Sequence, residues 1–307
     1  MSQPKVVCAG LSNLDHVWQV ERFPPVASRT PAHSYRVQGG GPAATASATL
    51  ARLGAEVHLY ALHGDDANGL SCLQSLQTFG VRTEHVRTVP NAQTCVSAVL
   101  VDGRGERRIF PYKPDLPDSA EGLDLRPITG ANCVLSDSRH PVMNEAVLEA
   151  ARASSVPVVG DFGNTDNWHL SSYTDYLLVS RECAAQVLGR DDPEAALDAL
   201  RQSDEQLVGV TLGEEGFIYA GADGLRHVPA LVVNALDTTG AGDVFHGAYA
   251  FGVASGFVPE RCALFASVAA ALSCTALGSR GYLPIADEVE ELLVQETAKE
   301  MDARSWV

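Results

Sequence analysis

One heptapeptide, Asp237-Thr238-Thr239-Gly240-Ala241-Gly242-Asp243, combines glycines that could bind an anion with a carboxylate that could accept a proton. Its glycines can adopt backbone angles closed to other residues, so consecutive N–H groups can turn toward one point and attract an anion. From Val244 onward, apolar residues recur at spacings of one, three and four, which is typical of a helix with a buried face. The heptapeptide therefore predicts an anion site at a helix N-terminus, where unpaired amides and the helix dipole favour negative charge.

Asp243 is the unusual member of this segment, because a neighbouring anion would be repelled by its carboxylate. A carboxylate in this place makes chemical sense as a general base that accepts the proton of an attacking hydroxyl group. The alternative is a carboxylate that only caps the helix, which is common in first turns. His246, one turn further on, could serve as an acid, but at such a position a histidine is more often packed or hydrogen-bonded.

The rest of the chain has the alternating rhythm of strands and helices that is typical of a layered α/β fold. Apolar runs at 5–10, 57–62, 132–136 and 156–161 predict strands, with further runs at 176–179 and 207–212. Helical periodicity is found at 43–54, 69–79 and 142–154. Strands that alternate with helices predict a mostly parallel sheet covered by helices, in a single domain over 1–307. Asn13 and Asp15 are expected in the loop after the first strand.

Two stretches, about 13–38 and 94–114, break this rhythm. They contain strand-like pieces without helical periodicity, and Asp102-Gly103-Arg104-Gly105 predicts a turn within the second. We interpret them together as a small β-sheet lid, which would keep water out of a group-transfer site. Two ordinary surface hairpins remain the alternative.

The composition of the chain limits its partners. Its 307 residues include 22 basic and 38 acidic residues, a net charge of −16, which argues against binding nucleic acid or an anionic membrane surface. The chain has no apolar run of membrane-spanning length, and its first residues lack the apolar region of a signal peptide, so a cytoplasmic location is expected. The seven cysteines form no CxxC pair and are expected to be reduced, buried thiols.

Five segments, in order along nearly the whole chain, resemble the PfkB, or ribokinase-like, family of carbohydrate kinases. The heptapeptide resembles its C-terminal signature, and Gly39-Gly40-Gly41-Pro42 with the following AATASATLARLG resembles its N-terminal glycine signature. GDDANG at 64–69 and TLGEEG at 211–216 resemble two further family segments, and Asp15 stands where members place a sugar-binding Asp. The resemblance implies a ribokinase-like three-layer fold with a β lid, a sugar acceptor, ATP as the donor and Mg²⁺ as its companion ion.

The resemblance also implies roles for individual residues. Asp243 would be the base, and amides of Gly240, Ala241 and Gly242 would stabilise the transferring phosphoryl group. The nucleotide would be held by residues of two loops: Thr211, Gly213, Gly216, Ser273 and Gly278. The acceptor would be held by Asp15, by the glycines Gly39, Gly40 and Gly41, and by Asn13, for which a turn-forming role is the alternative.

The chain departs from the family pattern at two places. Thr45 stands where many members have a sugar-contacting Asn, and Ser180-Arg181-Glu182-Cys183 replaces the NxxE motif linked to Mg²⁺. No direct metal ligand is predicted, although Glu182 could contact Mg²⁺ indirectly. These features resemble the branch that contains 6-deoxy-6-sulfofructose kinase, which implies an anionic ketose acceptor. Arg139 and Arg29 are the candidate cations for its anionic end. Pro111 departs from the donor expected there, and Arg139 could instead be a surface or ion-paired arginine.

Other functions stay open at this point. The acceptor could instead be ribose, fructose, 2-keto-3-deoxygluconate or a nucleoside, and the fold could serve a catalytically silent sugar or nucleotide sensor. A dinucleotide-binding oxidoreductase is disfavoured, because CAGLSNLD follows the first strand where a GxGxxG motif would be needed. Family members often pair through their lids, so a homodimer is expected; Val17, Trp18, Val20, Tyr35 and Val37 could provide the apolar surface or cover the sugar.

Overall fold

The chain alternates between buried apolar strands and helices with one apolar face, in a computed structural model that describes residues 3–23, 29–221 and 224–304. The strands are β1 (Lys5–Ala9), β2 (Asn13–Gln19), β3 (Ser34–Gly40), β4 (Glu56–Gly64), β5 (Val86–Val89), β6 (Val96–Val101), β7 (Arg107–Tyr112), β8 (Cys133–Asp137), β9 (Val158–Phe162), β10 (Tyr176–Ser180), β11 (Leu207–Thr211), β12 (Phe217–Gly221) and β13 (Gly224–Val228). The α-helices are α1 (Pro42–Arg52), α2 (Ala67–Thr78), α3 (Pro141–Ala153), α4 (Arg181–Leu188), α5 (Pro193–Leu200), α6 (Ala241–Ala254), α7 (Pro259–Ser273) and α8 (Ala286–Arg304).

Nine strands form the central sheet in the order β13-β12-β11-β10-β9-β8-β1-β4-β5. The strands from β11 to β5 in that order pair in parallel, whereas β12 pairs antiparallel with both of its neighbours, β11 and β13. The carboxyl ends of the parallel strands therefore meet at one edge of the sheet. In sheets of this kind ligands bind outside that edge, so the loops after β1, β8, β9 and β11 are where a site is expected.

Two apolar cores lie on the two faces of this sheet. One core contains buried residues of α1, α6 and α7, and the other contains buried residues of α3, α4 and α5. The predicted three-layer α/β fold is therefore confirmed. All seven cysteines are buried and free, as expected.

The second sheet is the predicted lid. It has four strands in the order β3-β2-β6-β7, in which β2 and β6 pair in parallel and the other pairs are antiparallel. Residues 24–28 of the predicted lid lie outside the described residues. The loop expected at Asn13 and Asp15 is wrong, because both residues lie in β2, where Asn13 pairs with Gly40 and Asp15 with Gln38.

The parts of the chain that the structure describes include no helix long and apolar enough to cross a membrane.

Candidate active site

The heptapeptide forms the turn that starts α6 at the carboxyl edge of the sheet. Gly240 caps the helix in the left-handed conformation, with φ of 79°, and the Ala241 amide donates to the Thr238 carbonyl at 3.2 Å. Within the described residues, the amides of Gly240, Gly242 and Asp243 have no acceptor. Gly242 is exposed, with no atom within 4 Å of a Cβ added there. The turn thus offers these three unpaired amides and an open face at a helix N-terminus, as an anion requires.

Asp237, the first residue of the heptapeptide, holds this turn in place. Its carboxylate is buried; Oδ1 accepts hydrogen bonds from the Thr239 amide (2.8 Å) and hydroxyl (2.6 Å). Its Oδ2 accepts a hydrogen bond from the Gly278 amide at 2.7 Å, which ties the turn to the segment after α7. Asp237 therefore has a structural task, whereas Asp243 is left as the carboxylate free for chemistry.

A second carboxylate lies beneath the turn. Asp161 is a buried residue of β9, its Oδ1 lies 3.5 Å from Nδ1 of His246, and its Oδ2 has no partner among the described residues. His246 Nδ1 also lies 2.6 Å from the Gly242 carbonyl. Since both neighbours of Nδ1 are acceptors, this nitrogen carries the proton. The interpretation of His246 as a packed, hydrogen-bonded residue agrees with its burial, and Asp161 is a site residue that the sequence reasoning missed.

Burial and mutual repulsion perturb both carboxyl groups. Burial raises the pKa of Asp243 well above its ordinary value, and the negative charge of Asp161 raises it further. Burial likewise raises the pKa of Asp161, with Asp137 adding to the shift. Burial lowers the pKa of His246, so its imidazole is neutral near pH 7. A carboxylate whose pKa is moved toward neutrality is a stronger base than an exposed one, which suits proton abstraction.

The acceptor side is built on the paired strands β2 and β3. Asn13 Nδ2 donates to Asp15 Oδ1 and to Ser97 Oγ, each at 2.8 Å, so the Asp15 carboxylate is oriented from below. A Cβ added at Gly40 would collide with that carboxylate, which shows that Asp15 lies directly against the glycine segment. Asp15 is also close enough to Asp243 to raise the pKa of Asp243. The structure therefore brings the predicted acceptor residues and the predicted base to one region.

Thr45, a candidate residue for contact with the acceptor, lies against Arg280, and its role in binding the acceptor stays a prediction. It is fully buried in α1, and its hydroxyl oxygen accepts a hydrogen bond from Arg280 Nε at 3.3 Å. Arg280, which the sequence reasoning did not single out, is itself buried and also donates through Nη2 to the Gly40 carbonyl at 2.8 Å.

The nucleotide residues expected at 211–216 lie at the same edge of the sheet. Thr211 ends β11 and Gly213 begins a short 3₁₀ helix, where a Cβ would meet nothing within 4 Å. Gly216 is buried, and a Cβ there would collide with the Val228 carbonyl. The close approach of this backbone segment therefore explains the glycine without a role in nucleotide binding. Arg181, the first residue of α4, contacts Glu215 at 2.6 Å and joins α4 to this loop.

The second predicted nucleotide segment is more enclosed than expected. The Ser273 hydroxyl is buried and donates to the Ala270 carbonyl of its own helix at 2.7 Å. Gly278 binds Asp237 and lies against the Gln38 side chain, at the base of the lid. Roles for Ser273 and Gly278 in nucleotide binding stay predictions.

The predicted cations lie in different places. Arg139 follows β8, and its guanidinium lies near Gly163 and acts to lower the pKa of Asp161, which places it beside the second carboxylate. Arg29 is exposed on the lid, and Glu182 is exposed in the first turn of α4. The roles of Arg29 and Arg139 in binding an anion stay predictions.

One residue of the lid, Arg107, forms hydrogen bonds with the turn that the heptapeptide forms. Arg107, at the start of β7, donates through Nη1 to the Thr238 carbonyl (3.0 Å) and to the Thr238 hydroxyl (2.6 Å). Its positive charge also acts to lower the pKa of Asp243. The lid is thus connected to the turn across the cleft, and Arg107 is another residue that sequence reasoning missed.

A groove of about 770 Å³ lies at the other edge of the sheet, near the amino ends of β9, β10 and β11. Its lining includes Pro157, Asp175 and Leu207, and it lies far from the heptapeptide along each of these strands. Because ligands of parallel sheets bind at the carboxyl ends, we place the site at the heptapeptide rather than in this groove.

Comparison with known proteins finds a family match over most of the chain. The family model described as pfkB family carbohydrate kinase matches residues 3–286. An ATP-dependent ribose-1-phosphate kinase of Halopiger xanaduensis is 33% identical over 298 residues, which cover 94% of this chain and 98% of the relative. A ribokinase of Bacillus subtilis is 28% identical and covers 92% of this chain and 97% of its own length.

Solved structures give the same result. Ribokinase from Thermotoga maritima is 26% identical, with a TM-score of 0.79 over 94% of this chain and 99% of that one. Arabidopsis thaliana ribokinase complexed with ribose and ATP is 25% identical, with a TM-score of 0.82 over 95% of this chain and 99% of that one.

Proposed function

Because this chain belongs to the pfkB family of carbohydrate kinases, we propose that it transfers the γ-phosphoryl group of ATP to a primary hydroxyl group of a ribose-like sugar. The observation that carries the proposal is the turn formed by the heptapeptide, which we call the catalytic turn: Asp243 lies beside the unpaired amides of Gly240 and Gly242 and within range of Asp15. A base, an anion site and an acceptor site in one place are the parts that phosphoryl transfer needs. We further propose that residues 1–307 act as one kinase domain, in the cytoplasm, where ATP is plentiful.

In this mechanism Asp15 and the glycines at 39–41 hold hydroxyl groups of the sugar. Asp243 accepts the proton of the primary hydroxyl group of the sugar. At the same time the hydroxyl oxygen forms a bond to the γ-phosphorus, and the bond from that phosphorus to ADP breaks. The amides of Gly240, Gly242 and Asp243 donate to the oxygens of the phosphoryl group, where negative charge is greatest. The Ala241 amide already donates to the Thr238 carbonyl, so the Asp243 amide takes the role that was expected of the Ala241 amide.

The described residues are compatible with a Mg²⁺ ion that is bound mainly by the phosphates of the nucleotide rather than by protein side chains. The magnesium–nucleotide complex supplies the phosphoryl group and neutralises part of its charge when bound. No group of three or more His, Cys, Asp or Glu side chains among the described residues could hold a metal ion. Mg²⁺ commonly keeps several waters and is held by phosphates with one or two carboxylates. Asp161, with its unpartnered Oδ2, is the carboxylate beneath the turn that could meet this need, whereas Glu182 is exposed.

The identity of the acceptor is the finer part of the proposal. The relatives named above are ribokinases and a ribose-1-phosphate kinase, and they do not support an anionic ketose such as 6-deoxy-6-sulfofructose. A sugar of the ribose class therefore replaces the anionic ketose as the proposed acceptor. Ribose 1-phosphate is the second candidate, because the relative at 33% identity is named for it and Arg139 lies at the same edge of the sheet.

A panel of acceptors in a coupled assay of ADP release tests the proposal. The panel contains ribose, deoxyribose, ribose 1-phosphate, fructose, 2-keto-3-deoxygluconate and 6-deoxy-6-sulfofructose. We expect the highest kcat/KM for ribose or ribose 1-phosphate. Preference for sulfofructose would restore the anionic ketose, and binding of ATP without ADP release on every acceptor would instead favour a sensor.

We also propose that the enzyme forms a homodimer through the outer face of its lid. Strand register places Val37, His16, Ala98 and Phe110 in one row across that face. Phe110 is 59% exposed and Tyr35 in the next row is 53% exposed. A face of this kind, rich in aromatic side chains, is typical of interfaces. Light scattering should show a dimer that Phe110→Glu converts to a monomer; a monomeric parent protein would refute this pairing.

A further inference from the structure

Arg280 is a buried arginine at the joint between the acceptor glycines and the catalytic turn. Its side chain is 9% exposed, and burial lowers its pKa to about 10, so it remains a cation at neutral pH. A buried charge is costly unless hydrogen bonds and opposite charges compensate it. The groups that surround Arg280 therefore indicate what the cation does.

The guanidinium lies behind the acceptor glycines. Nη2 donates to the Gly40 carbonyl at 2.8 Å and Nε donates to the Thr45 hydroxyl at 3.3 Å. A Cβ added at Gly39 would lie 2.3 Å from Nη1, so a larger residue there would force the buried guanidinium to move. Among the described residues Nη1 has no hydrogen-bond partner. Arg280 thus fixes the backbone of the segment that Asp15 touches from the other side.

The residues next to Arg280 connect the same segment to the catalytic turn. The Gly278 amide donates to Asp237 Oδ2 at 2.7 Å, and the Ser279 hydroxyl donates to the Gly39 carbonyl at 3.3 Å. A Cβ at Gly240 would lie 2.6 Å from the Cβ of Ser279. Three consecutive residues therefore hold the acceptor glycines against the turn that carries the base.

We propose that Arg280 is a positioning residue that sets the affinity for the acceptor sugar, by holding the Gly39–Gly40 backbone at a fixed place relative to Asp15 and Asp243. The inference rests on the proposed function, since it assigns the sugar to these glycines. Charge complementarity supports it, because Asp15 and Asp243 are both close enough to influence the guanidinium. Thr45 then has its hydroxyl occupied by Arg280, which accounts for its burial where the family often has a sugar-contacting Asn.

Steady-state kinetics of Arg280→Met and Arg280→Lys test the role. A charge-assisted hydrogen bond to the Gly40 carbonyl is lost in Arg280→Met, and we expect the KM for the acceptor to rise roughly 10- to 100-fold. The KM for ATP should stay within about 3-fold, because the nucleotide loop lies elsewhere. Arg280→Lys keeps the charge without the planar fork and should have an intermediate KM for the acceptor.

Arg52→Met is the matched control. Arg52 Nε donates to the Leu283 carbonyl at 3.3 Å, so this variant also removes an arginine bond to the segment after α7, but away from the glycines. We expect its KM for the acceptor to match that of the parent enzyme. An unchanged KM in Arg280→Met, or equal rises in the KM for sugar and ATP, would overturn the proposal.

A double-mutant cycle separates this inference from the proposed function. Gly39→Ala should be destabilising in the parent chain, because the guanidinium must give up its hydrogen bonds to move, and less so with Arg280→Met, in which the Cβ no longer meets Nη1. Denaturant unfolding measures this coupling without any substrate. If no sugar were phosphorylated, the proposed function would fail while the coupling could still be found; additive effects at the two positions would refute the geometry of Arg280 itself.

Discussion

Gly240 and Gly242 lie two residues apart in the catalytic turn, yet alanine should affect stability in opposite directions at the two positions. At Gly240, φ is 79°, and a Cβ would lie 2.6 Å from the Cβ and 2.9 Å from the Cα of Ser279. The left-handed conformation costs an L-residue about 1–2 kcal/mol, and overpacking costs about 1–3 kcal/mol. Gly240→Ala should therefore lower the free energy of unfolding by about 2–5 kcal/mol.

Gly242 is helical and open, with nothing within 4 Å of an added Cβ. Alanine is favoured over glycine in a helix by about 0.5–1 kcal/mol, so Gly242→Ala should be slightly more stable than the parent chain. Its methyl group, however, would stand on the face that the phosphoryl group must approach. Since a misplacement of about 1 Å can cost roughly 10²-fold in rate, we expect kcat/KM to fall by about that factor.

Urea unfolding and kcat/KM, measured on both variants, test these expectations together. The informative result is a well-folded Gly242→Ala enzyme with little activity, because lost stability cannot then explain the loss. Full activity of Gly242→Ala would mean that the phosphoryl group does not approach this face. Parent-like stability of Gly240→Ala would show that Ser279 does not restrict the turn.

Three further changes test the residues around the turn. Asp243→Ala should reduce kcat by roughly 10²- to 10⁴-fold, the usual contribution of a general base, and leave the KM for ATP little changed; near-full turnover would remove the base from the mechanism. Asp15→Ala should raise the KM for the sugar roughly 10-fold or more, because a carboxylate that accepts hydroxyl hydrogen bonds is lost, and a change confined to the KM for ATP would contradict that assignment. Arg107→Met removes both hydrogen bonds from the lid to Thr238, so the lid should close less well. We expect the KM for the sugar to rise about 5-fold and the hydrolysis of ATP in the absence of sugar to become faster. If neither value changed, Arg107 would not hold the lid.

The sequence predicted the strands and helices that carry strong local periodicity. The runs at 57–62 and 132–136, for example, are the buried strands β4 and β8, whose pattern depends only on neighbours along the chain. Asn13 and Asp15 were misassigned to a loop because polar residues are unusual in a strand. They are buried in β2 through hydrogen bonds to each other and to Ser97, 84 residues away from Asn13. Such a long-range partner leaves no local signal.

The candidate site divides in the same way. The heptapeptide is a local motif, and its glycines and Asp243 could be recognised from their order alone. Its supports come from elsewhere: Asp161 ends a different strand, Arg107 belongs to the lid, and Arg280 lies 235 residues from Thr45. Only the packing of α6 against the sheet and of the lid against the turn brings these residues together. A single sequence cannot predict which of many scattered charged residues will meet there.

The raised pKa values of two carboxyl groups make the stability of the fold decrease as pH rises, whereas carboxyl groups with lowered pKa values have the opposite effect. Folding raises the pKa of Asp161 and of Asp243, chiefly through burial, so the folded protein binds more protons than the unfolded chain above about pH 4. The stabilising effect is complete below the unfolded pKa and is lost as pH rises through the raised folded values. Asp161→Asn removes this penalty and should increase the free energy of unfolding by about 1–3 kcal/mol near pH 8, measured by urea titration.

Asp66→Asn is a control of opposite sign. Although burial alone would raise the pKa of Asp66, hydrogen bonds from Thr94 and from the Gly69 amide lower it. Asp66 therefore stabilises the fold above its unfolded pKa, and that contribution is lost in acid as pH falls through the folded value. Asp66→Asn should be less stable than the parent chain at pH 8, and Asp161→Asn more stable. The difference for Asp161→Asn should disappear as pH falls from about 7 to about 4, whereas the difference for Asp66→Asn should shrink mainly below about pH 4. The Asp161→Asn enzyme should be more stable but less active. If its free energy of unfolding equalled that of the parent chain at pH 8, the charged form of Asp161 would not destabilise the fold.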